Sequence, residues 1–402
     1  MAVPTLALIP AAQGSKLYSV LPSNGVGDFD FTRASTATRI NSKGLIEEVA
    51  SGVSRLDYTG GGCPSHLLEP QRTNNVFYSQ EVDNAYWLKS NCAITSNTSI
   101  SPDGTLNADT LTITSGASGV VYRTGINVGS LSFFAKDINL GTATFTISVD
   151  GVGSASWDKN GLLTSYGGGT ATNGEYYGNG WYRFVFTVTS GTVVNYGISS
   201  GTVTNSILVF GLQNEPSSTF QTSYIPTTSS AVTRLAETAN NAGDASTFND
   251  SEGVLYAEIS ALANDLINRI ISLSDGSGSN RVLIKYDNSS DSIQASLTSA
   301  GSDQATLSFG KDITINSKIA FKYKLNDFSL WVDGLEVDTD TSGATPVGLS
   351  ELAFDNGSGG SDFYGNTKQL EYYNTALTSL EIETLTSYTS FNAMALAQNY
   401  TI

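Results

Sequence analysis

Apolar and polar residues alternate with a period of two along many short stretches of the chain, a pattern that indicates half-buried β-strands. The alternation is clearest over residues 131–136, 144–149, 181–188, 319–325 and 328–332. Each stretch places a row of large apolar side chains on one face, as in an antiparallel sheet with one solvated face. The pattern therefore predicts an all-β chain of packed antiparallel sheets.

Short sequence motifs also predict a central strand, two tight turns and a short helix. Residues 207–212 are almost continuously apolar, which favours a strand inside a sheet. The Asn-Asp pair at 326–327 and the Asp-Gly pair at 333–334 favour turns between strands. The sequence Thr-Ser-Leu-Glu at 378–381 is a capping box, and it predicts a helix that runs to about Ser387.

The distribution of proline and of polar residues predicts a proline-rich N-terminal module followed by two antiparallel β-sandwich domains. Residues 1–73 contain five of the nine prolines, which permits only short strands and extended segments. Such a module cannot bury a large core alone, so we expect it to pack on the next domain or on another subunit. Residues 74–235 and 253–390 are the predicted sandwiches, residues 236–252 a polar linker and residues 391–402 a C-terminal tail.

The charge of the chain restricts its partners. Its 402 residues have a formal net charge of −17, with 20 basic against 37 acidic residues. We therefore expect no nucleic-acid partner and no membrane insertion, because no apolar run has the length of a membrane span. The first ten residues lack the basic start of a signal peptide, so we expect synthesis in a cytoplasm without the usual export. Cys63 and Cys92 are either reduced or joined in a single bridge.

Groups for hydrolytic catalysis are scarce. His66 is the only histidine, which removes most triads that need an imidazole base. We predict a protein that is not an enzyme and has no catalytic residues. A carboxylate pair of the glycosidase type stays open as an alternative, although no spacing among the acidic residues singles out a pair.

Aromatic side chains are the candidate groups for binding sugars, because aromatic rings stack on the apolar faces of sugar rings. Trp181 and Trp331 lie on strands and face away from the dominant apolar row, and Tyr176 and Tyr177 lie in a Gly-rich loop. Core packing is the alternative for both tryptophans. The complete set of candidates is Trp87, Tyr176, Tyr177, Trp181 and Trp331.

We predict no cofactor, and calcium is the one ion that stays open as an alternative, since oxygens of loop residues bind it in many β-sandwich proteins. The candidate ligands are Asp355 and Asp362, with Asp287 and Asp291 as a second pair. An ordinary turn without metal is the alternative at each place.

The N-terminal region resembles a module of tailed-bacteriophage virion proteins. Residues 28–48, 55–58 and 63–74 contain, in order, the runs FTRASTATRIN, GLIEE, RLDY, CP and LLEPQRTN. In that family the module precedes lectin-like β-domains of fibre, tail and head appendage proteins. The region also concentrates basic residues, which form surface salt bridges or clamp carboxylates of a neighbouring subunit. These residues are Arg33, Arg39, Arg55 and Arg72.

Two weaker resemblances cover much of the remaining chain. Residues 74–235 are similar to carbohydrate-binding jelly-roll modules in Asn84–Trp87, Ser101–Gly104, Asn179–Phe184 and Phe210–Glu215. Residues 253–390 are similar to laminin-G/concanavalin-like sandwiches, with late strands followed by a short helix.

Together these resemblances imply a structural virion protein: a fibre, spike or appendage subunit on the virion surface that binds bacterial surface glycan weakly. They also imply a homo-oligomer, a trimer by analogy, assembled through residues 1–73 and in contact with other virion proteins. The alternatives are a free or accessory carbohydrate-binding protein and a polysaccharide depolymerase.

Overall fold

The structure is a computed structural model that describes residues 2–390 and 393. Apart from Ala393, the tail predicted over residues 391–402 lies outside the described residues. Half of the chain lies in strands and only 2% in a helix, so the all-β prediction is confirmed. No helix within the described residues is both long and apolar enough to cross a membrane.

The first strand has eight residues and includes Pro10, and the other strands of the first part of the chain have two to six residues. In chain order they are β1 (Leu6–Gln13), β2 (Lys16–Leu21), β3 (Phe29–Thr32), β4 (Ala37–Ile40), β5 (Ile46–Val49), β6 (Leu56–Asp57), β7 (Ser65–Leu68) and β8 (Arg72–Asn74).

The middle of the chain follows with strands of two to eleven residues. They are β9 (Leu88–Ser90), β10 (Cys92–Ile100), β11 (Leu106–Ile113), β12 (Gly119–Thr124), β13 (Gly129–Asn139), β14 (Thr144–Val149), β15 (Gly153–Trp157), β16 (Leu163–Gly167), β17 (Thr170–Ala171), β18 (Glu175–Tyr176), β19 (Trp181–Thr187), β20 (Val193–Ser199), β21 (Ser206–Pro216), β22 (Val232–Arg234) and β23 (Thr238–Asn240).

The last part of the chain contains the remaining strands and the helix. They are β24 (Glu252–Ala261), β25 (Arg269–Ser274), β26 (Arg281–Tyr286), β27 (Ser292–Ser299), β28 (Ser302–Gly310), β29 (Ser317–Lys324), β30 (Asp327–Val332), β31 (Leu335–Asp340), β32 (Glu351–Ala353), β33 (Gly365–Tyr373) and α1 (Ser379–Thr386).

The strands form two compact units that differ from the predicted division. Unit 1 contains the residues up to Ala34, Ala50–Pro70 and the residues from Ala236 onward. Unit 2 contains Ser35–Val49 and Gln71–Leu235. Residues 1–73 are therefore shared between the two units and do not form a module of their own.

Unit 1 is a sandwich built from strands that are far apart in the sequence. One sheet has the order β23-β3-β2-β1-β33-β24-β29-β30-β31, with β7 on β33 and β6 on β7. The facing sheet has the order β28-β27-β26-β25-β32. N-terminal side chains enter the same apolar core as those of residues 253–390, and they include Leu6, Leu8, Leu17, Phe29, Phe31 and Leu68. The predicted linker over residues 236–252 likewise contributes β23 to this sheet.

This arrangement removes the reason that the sequence suggested for assembly through residues 1–73. Leu6 of β1 is opposite Tyr372 of β33, and β3 pairs with β23. Leu6 and Leu8 of β1 and Phe29 and Phe31 of β3 are thus buried within their own chain, and no second subunit is needed to cover them.

Unit 2 is a second antiparallel sandwich, and it confirms the strands read from alternation. One sheet has the order β10-β11-β21-β13-β19-β17, with β18 also on β19, and the other has the order β16-β15-β14-β20-β12-β9. The apolar run at 207–212 lies in β21, which is an inner strand as predicted. Alternate residues of β13, β14 and β19 fill the core between the two sheets.

The local turn and cap predictions are also confirmed. Asn326 and Asp333 have φ angles of 55° and 50° in the turns that join β29 to β30 and β30 to β31. Thr378 caps α1, and its side chain and that of Glu381 form the reciprocal hydrogen bonds of a capping box.

A buried ionic cluster joins the three segments of unit 1. The Nη1 atom of Arg33 is 2.6 Å from Oε1 of Glu237, and the Nη1 atom of Arg55 is 2.8 Å from Oε2 of Glu69. Arg55 also contacts Glu237 through its Nε and Nη2 atoms. Burial acts to lower the pKa of Arg55, but the charges of Glu237 and Glu69 raise it overall. Arg33 and Arg55 therefore clamp carboxylates, as one reading of the sequence proposed, but these belong to their own chain.

We predict that Arg55→Met destabilises unit 1 by about 3 to 5 kcal/mol, because it leaves buried carboxylates without their partner. Urea unfolding followed by circular dichroism measures the loss. The matched control is Lys16→Met, which removes the exposed ion pair with Asp30 and is expected to cost less than about 1 kcal/mol. Equal costs for the two variants would contradict the importance of the cluster.

The single histidine is a buried residue of the same unit. His66 of β7 is 1% exposed and lies opposite Leu56 of β6 and Thr367 of β33. Burial lowers the pKa of His66 from 6.5 to about 4, since a charged imidazole is poorly solvated there.

We predict that unit 1 loses stability as the pH falls from about 6.5 toward 4. The folded pKa lies below the unfolded value, so the unfolded chain takes up the proton first and is favoured by it. The loss between pH 7 and pH 5 is about 2 kcal/mol. Urea unfolding at both pH values measures it, and His66→Gln is the comparison. An equal pH dependence in wild type and variant would show that His66 is not the responsible group.

Candidate functional site

A pocket of about 340 Å³ opens on unit 2 where β19 begins. It combines two tyrosine rings with charged and amide side chains. The lining residues are Lys136, Asp137, Lys159, Asn160, Tyr176, Gly180 and Tyr182. Of the residues predicted to bind sugar, this pocket contains Tyr176.

A tight turn brings the two tyrosines together. Residues 178, 179 and 180 all have positive φ angles, of 82°, 52° and 82°, a conformation that glycine and asparagine adopt most readily. The turn lets β18 fold back on β19, so that Tyr176 lies opposite Tyr182. Their ring centroids are 5.2 Å apart and the rings are tilted by 53°.

Tyr176 presents its ring to solvent. Its exposed fraction is 60%, and the backbone N–H of Gly180 donates to its hydroxyl oxygen at 3.4 Å. Tyr182 is half-buried beside it and stacks on the core residue Phe184 with centroids 6.0 Å apart. The exposed ring is thus supported from below by the sandwich core.

The loop after β15 forms the opposite side of the pocket. Asp158 shapes this loop, because its Oδ1 atom accepts hydrogen bonds from the backbone N–H groups of Asn160 and Leu162, both at 2.9 Å. Gly161 has a φ of 79°, and a β-carbon there would be 2.5 Å from the ring of Tyr182. Glycine at 161 therefore allows Tyr182 to lie against the loop that presents Lys159 and Asn160.

The two lysine ammonium groups of the pocket are not in ion pairs and are available to bind a ligand. Neither Lys136 nor Lys159 has a carboxylate within 4.0 Å among the described residues. Asp137 is already engaged, since its Oδ1 atom accepts a hydrogen bond from the Leu140 N–H at 2.7 Å. The arrangement can stack one sugar face on Tyr176 and hydrogen-bond hydroxyl or anionic groups around it.

The tryptophans proposed as stacking residues are core residues instead. Trp87, Trp181 and Trp331 are 1%, 3% and 5% exposed. Their indole N–H groups donate to Tyr78 O, Ile100 O and Ser329 Oγ, at 3.0, 3.3 and 3.0 Å. Their ring faces are covered and not open to a sugar, so this part of the sequence interpretation is corrected.

Trp331 and Trp181 face away from the sandwich cores, but other parts of the chain cover them. Trp331 packs with Tyr373 and with Ile382 of α1, which lies over the outer face of its sheet. Trp181 packs with Phe134 and Tyr224 in a second apolar cluster outside the sandwich core of unit 2. The remaining candidate, Tyr177, is half-buried against Phe134, with centroids 4.9 Å apart.

The other two arginines of the predicted attachment set also have partners within their own chain. Arg39 forms an exposed ion pair with Glu47, with Nε and Oε2 3.1 Å apart, which is the surface salt bridge that the sequence suggested. The Nε atom of Arg72 donates to Ser218 Oγ at 3.1 Å, and its guanidinium lies over the ring of Phe220.

The candidate calcium ligands are engaged in local hydrogen bonds. Asp355 Oδ1 accepts from the Gly357 N–H at 2.6 Å, and Asp362 Oδ2 accepts from the Tyr364 hydroxyl at 2.9 Å. Burial raises the pKa of Asp362, and the charge of Asp355 adds to the effect. No cluster of three or more acidic, His or Cys side chains suited to a metal occurs among residues 2–390 and 393. Calcium binding at Asp355 and Asp362 stays a prediction.

Sequence reasoning missed most of the pocket. It placed Tyr182 in a core row, and it did not single out Lys136, Asp137, Lys159 or Asn160. The available signals were the Asn-Gly pairs at 160–161 and 179–180, which mark two tight turns. The sequence does not show that these two turns lie close together, because this depends on the pairing of β18 with β19.

Comparisons with known proteins add little to this geometry. No protein-family model and no curated protein sequence matches the chain. Among solved structures, the CBM40 of the Ruminococcus gnavus IT-sialidase is 14% identical, with a TM-score of 0.31 over 35% of this chain and 84% of that one. The NanB sialidase of Streptococcus pneumoniae is 17% identical, with a TM-score of 0.30 over 36% of this chain and 25% of that one.

Domains LG4-5 of the mouse laminin alpha1 chain are 10% identical, with a TM-score of 0.24 over 69% of this chain and 90% of that one. Likenesses at these TM-scores carry no argument about function. The β-sandwich assignment rests on the sheets and cores of the chain itself.

Proposed function

We propose that this chain is a glycan-binding structural subunit of a tailed-phage virion, and that the pocket around Tyr176 is its sugar-binding site. The observation that carries the binding proposal is Tyr176, a residue that is 60% exposed and whose ring contacts that of Tyr182. Sugar-binding surfaces need a flat apolar ring with polar groups at its edge. Lys136, Lys159 and Asn160 supply such polar groups here.

The site is built for weak binding by many copies. A stacked aromatic ring contributes about 0.5 to 1.5 kcal/mol, which alone gives low affinity. A virion presents many copies of a subunit, and linked sites raise the overall affinity by about 100- to 10,000-fold. Weak single sites on a multivalent particle would allow reversible adhesion to a bacterial surface.

The virion proposal is supported by the resemblance of residues 28–74 to a module of phage appendage proteins. Ile9, Tyr18 and Val20 of the N-terminal hairpin are also 43%, 42% and 46% exposed. These side chains offer an apolar surface for contact with other subunits, in the region where the resemblance implies assembly. A homotrimer and a place on the virion surface are part of this proposal.

We predict that Tyr176→Ala weakens binding to the surface polysaccharide of the host bacterium by about three- to tenfold per site. Isothermal titration with monovalent oligosaccharide fragments measures the affinity. The matched control is Tyr166→Ala, since Tyr166 is 59% exposed and does not line the pocket. Equal losses in the two variants, or no binding by the wild type, would overturn the proposed site.

We also predict that mass spectrometry of purified phage particles detects this chain. The isolated protein should sediment at three times the 42.3 kDa mass of one chain. A chain that is absent from particles would favour the free carbohydrate-binding protein, and a monomer at micromolar concentration would contradict the trimer.

A further inference from the structure

We propose that the Tyr176 pocket selects acidic glycans, meaning sugars that carry a carboxylate such as uronic acids. This inference rests on the proposed glycan-binding function and adds the class of ligand. Its basis is the charge of the lining residues: two lysines and one aspartate, a balance of +1 in a chain whose formal net charge is −17.

The two ammonium groups are free to meet a ligand. Lys16, Lys322 and Lys324 are examples of lysines that pair with a carboxylate of their own chain. Lys136 and Lys159 have none within 4.0 Å among the described residues. A carboxylate of a sugar stacked on Tyr176 would supply the missing partner.

The position of Lys136 is restrained before any ligand arrives. Lys136 is half-buried on β13 opposite Trp181, the first residue of β19. A β-carbon at residue 180 would be 3.4 Å from Lys136 Cε, so Gly180 provides the surface along which the aliphatic stem lies. A restrained side chain loses less conformational entropy on binding.

The remaining polar groups suit the hydroxyls of the same sugar. The side-chain amide of Asn160 forms no hydrogen bond within the described part of the chain, and it can both donate and accept. Asp137 keeps one carboxylate oxygen beyond the one bonded to the Leu140 N–H, and this oxygen can accept from a sugar hydroxyl. The acidic surface farther away is screened within about 10 Å at 0.1 M salt.

The test uses matched pairs of oligosaccharides that differ only in charge. Oligogalacturonate, oligomannuronate and hyaluronan fragments are compared with the same sugars after their carboxylates are reduced to alcohols. The proteins are the full-length wild type, the double variant Lys136→Met/Lys159→Met, and Lys43→Met. Lys43 is an exposed lysine of unit 2 outside the pocket, so its variant shows the effect of removing one positive charge elsewhere on the same unit.

We expect at least one acidic sugar to bind the wild type about five- to tenfold more tightly than its reduced form. The preference should fall to about one in the double variant, persist in Lys43→Met, and shrink in 0.5 M salt. Binding of neutral and acidic forms with equal affinity, lost in Tyr176→Ala, would overturn the acidic preference and leave the glycan site intact. Absence of binding to either form would overturn both proposals.

Discussion

The buried ionic cluster is the contact on which the packing of the three chain segments of unit 1 depends. Along the chain, the three segments of unit 1 alternate with the two segments of unit 2. Glu237 lies at the start of the third segment of unit 1. It contacts Arg33 of the first segment and Arg55 of the second. Breaking such a buried set costs several kcal/mol, which ties the return of the chain to its earlier segments.

The cluster gives an intramolecular role to three charged residues of the N-terminal region that resembles a phage module. Arg33, Arg55 and Glu69 lie in or near the runs that carry the resemblance, and their carboxylate partner Glu237 is almost 170 residues beyond Glu69. These charges serve intramolecular packing. Exposed apolar side chains of the same region lie on the hairpin formed by β1 and β2, namely Ile9, Tyr18 and Val20.

The sequence predicted the strands well because alternation is a local property. Phe145, Ile147 and Val149 enter the core of unit 2 as their spacing indicated, and the capping box of α1 has both of its hydrogen bonds. The division into domains could not be predicted, since β1 pairs with β33 across more than 350 residues. Alternation likewise shows that Trp331 faces away from the sandwich core, but not that α1 covers that face.

The candidate site was predictable only in part for the same reason. Tyr176 was marked by its Gly-rich surroundings, whereas Lys136 and Lys159 join it through the pairing of β13, β18 and β19. Each charged residue looks like an ordinary solvated group when read alone. Their shared lack of a carboxylate partner becomes visible only in three dimensions.

A crystal structure of the full-length chain with a bound acidic oligosaccharide tests the account most directly. We predict a pyranose ring lying over the exposed face of Tyr176, with carbon–carbon contacts of about 3.5 to 4 Å. Its carboxylate should be within hydrogen-bonding distance of Lys136 or Lys159. An oligosaccharide bound at another surface, with none at Tyr176, would contradict the account.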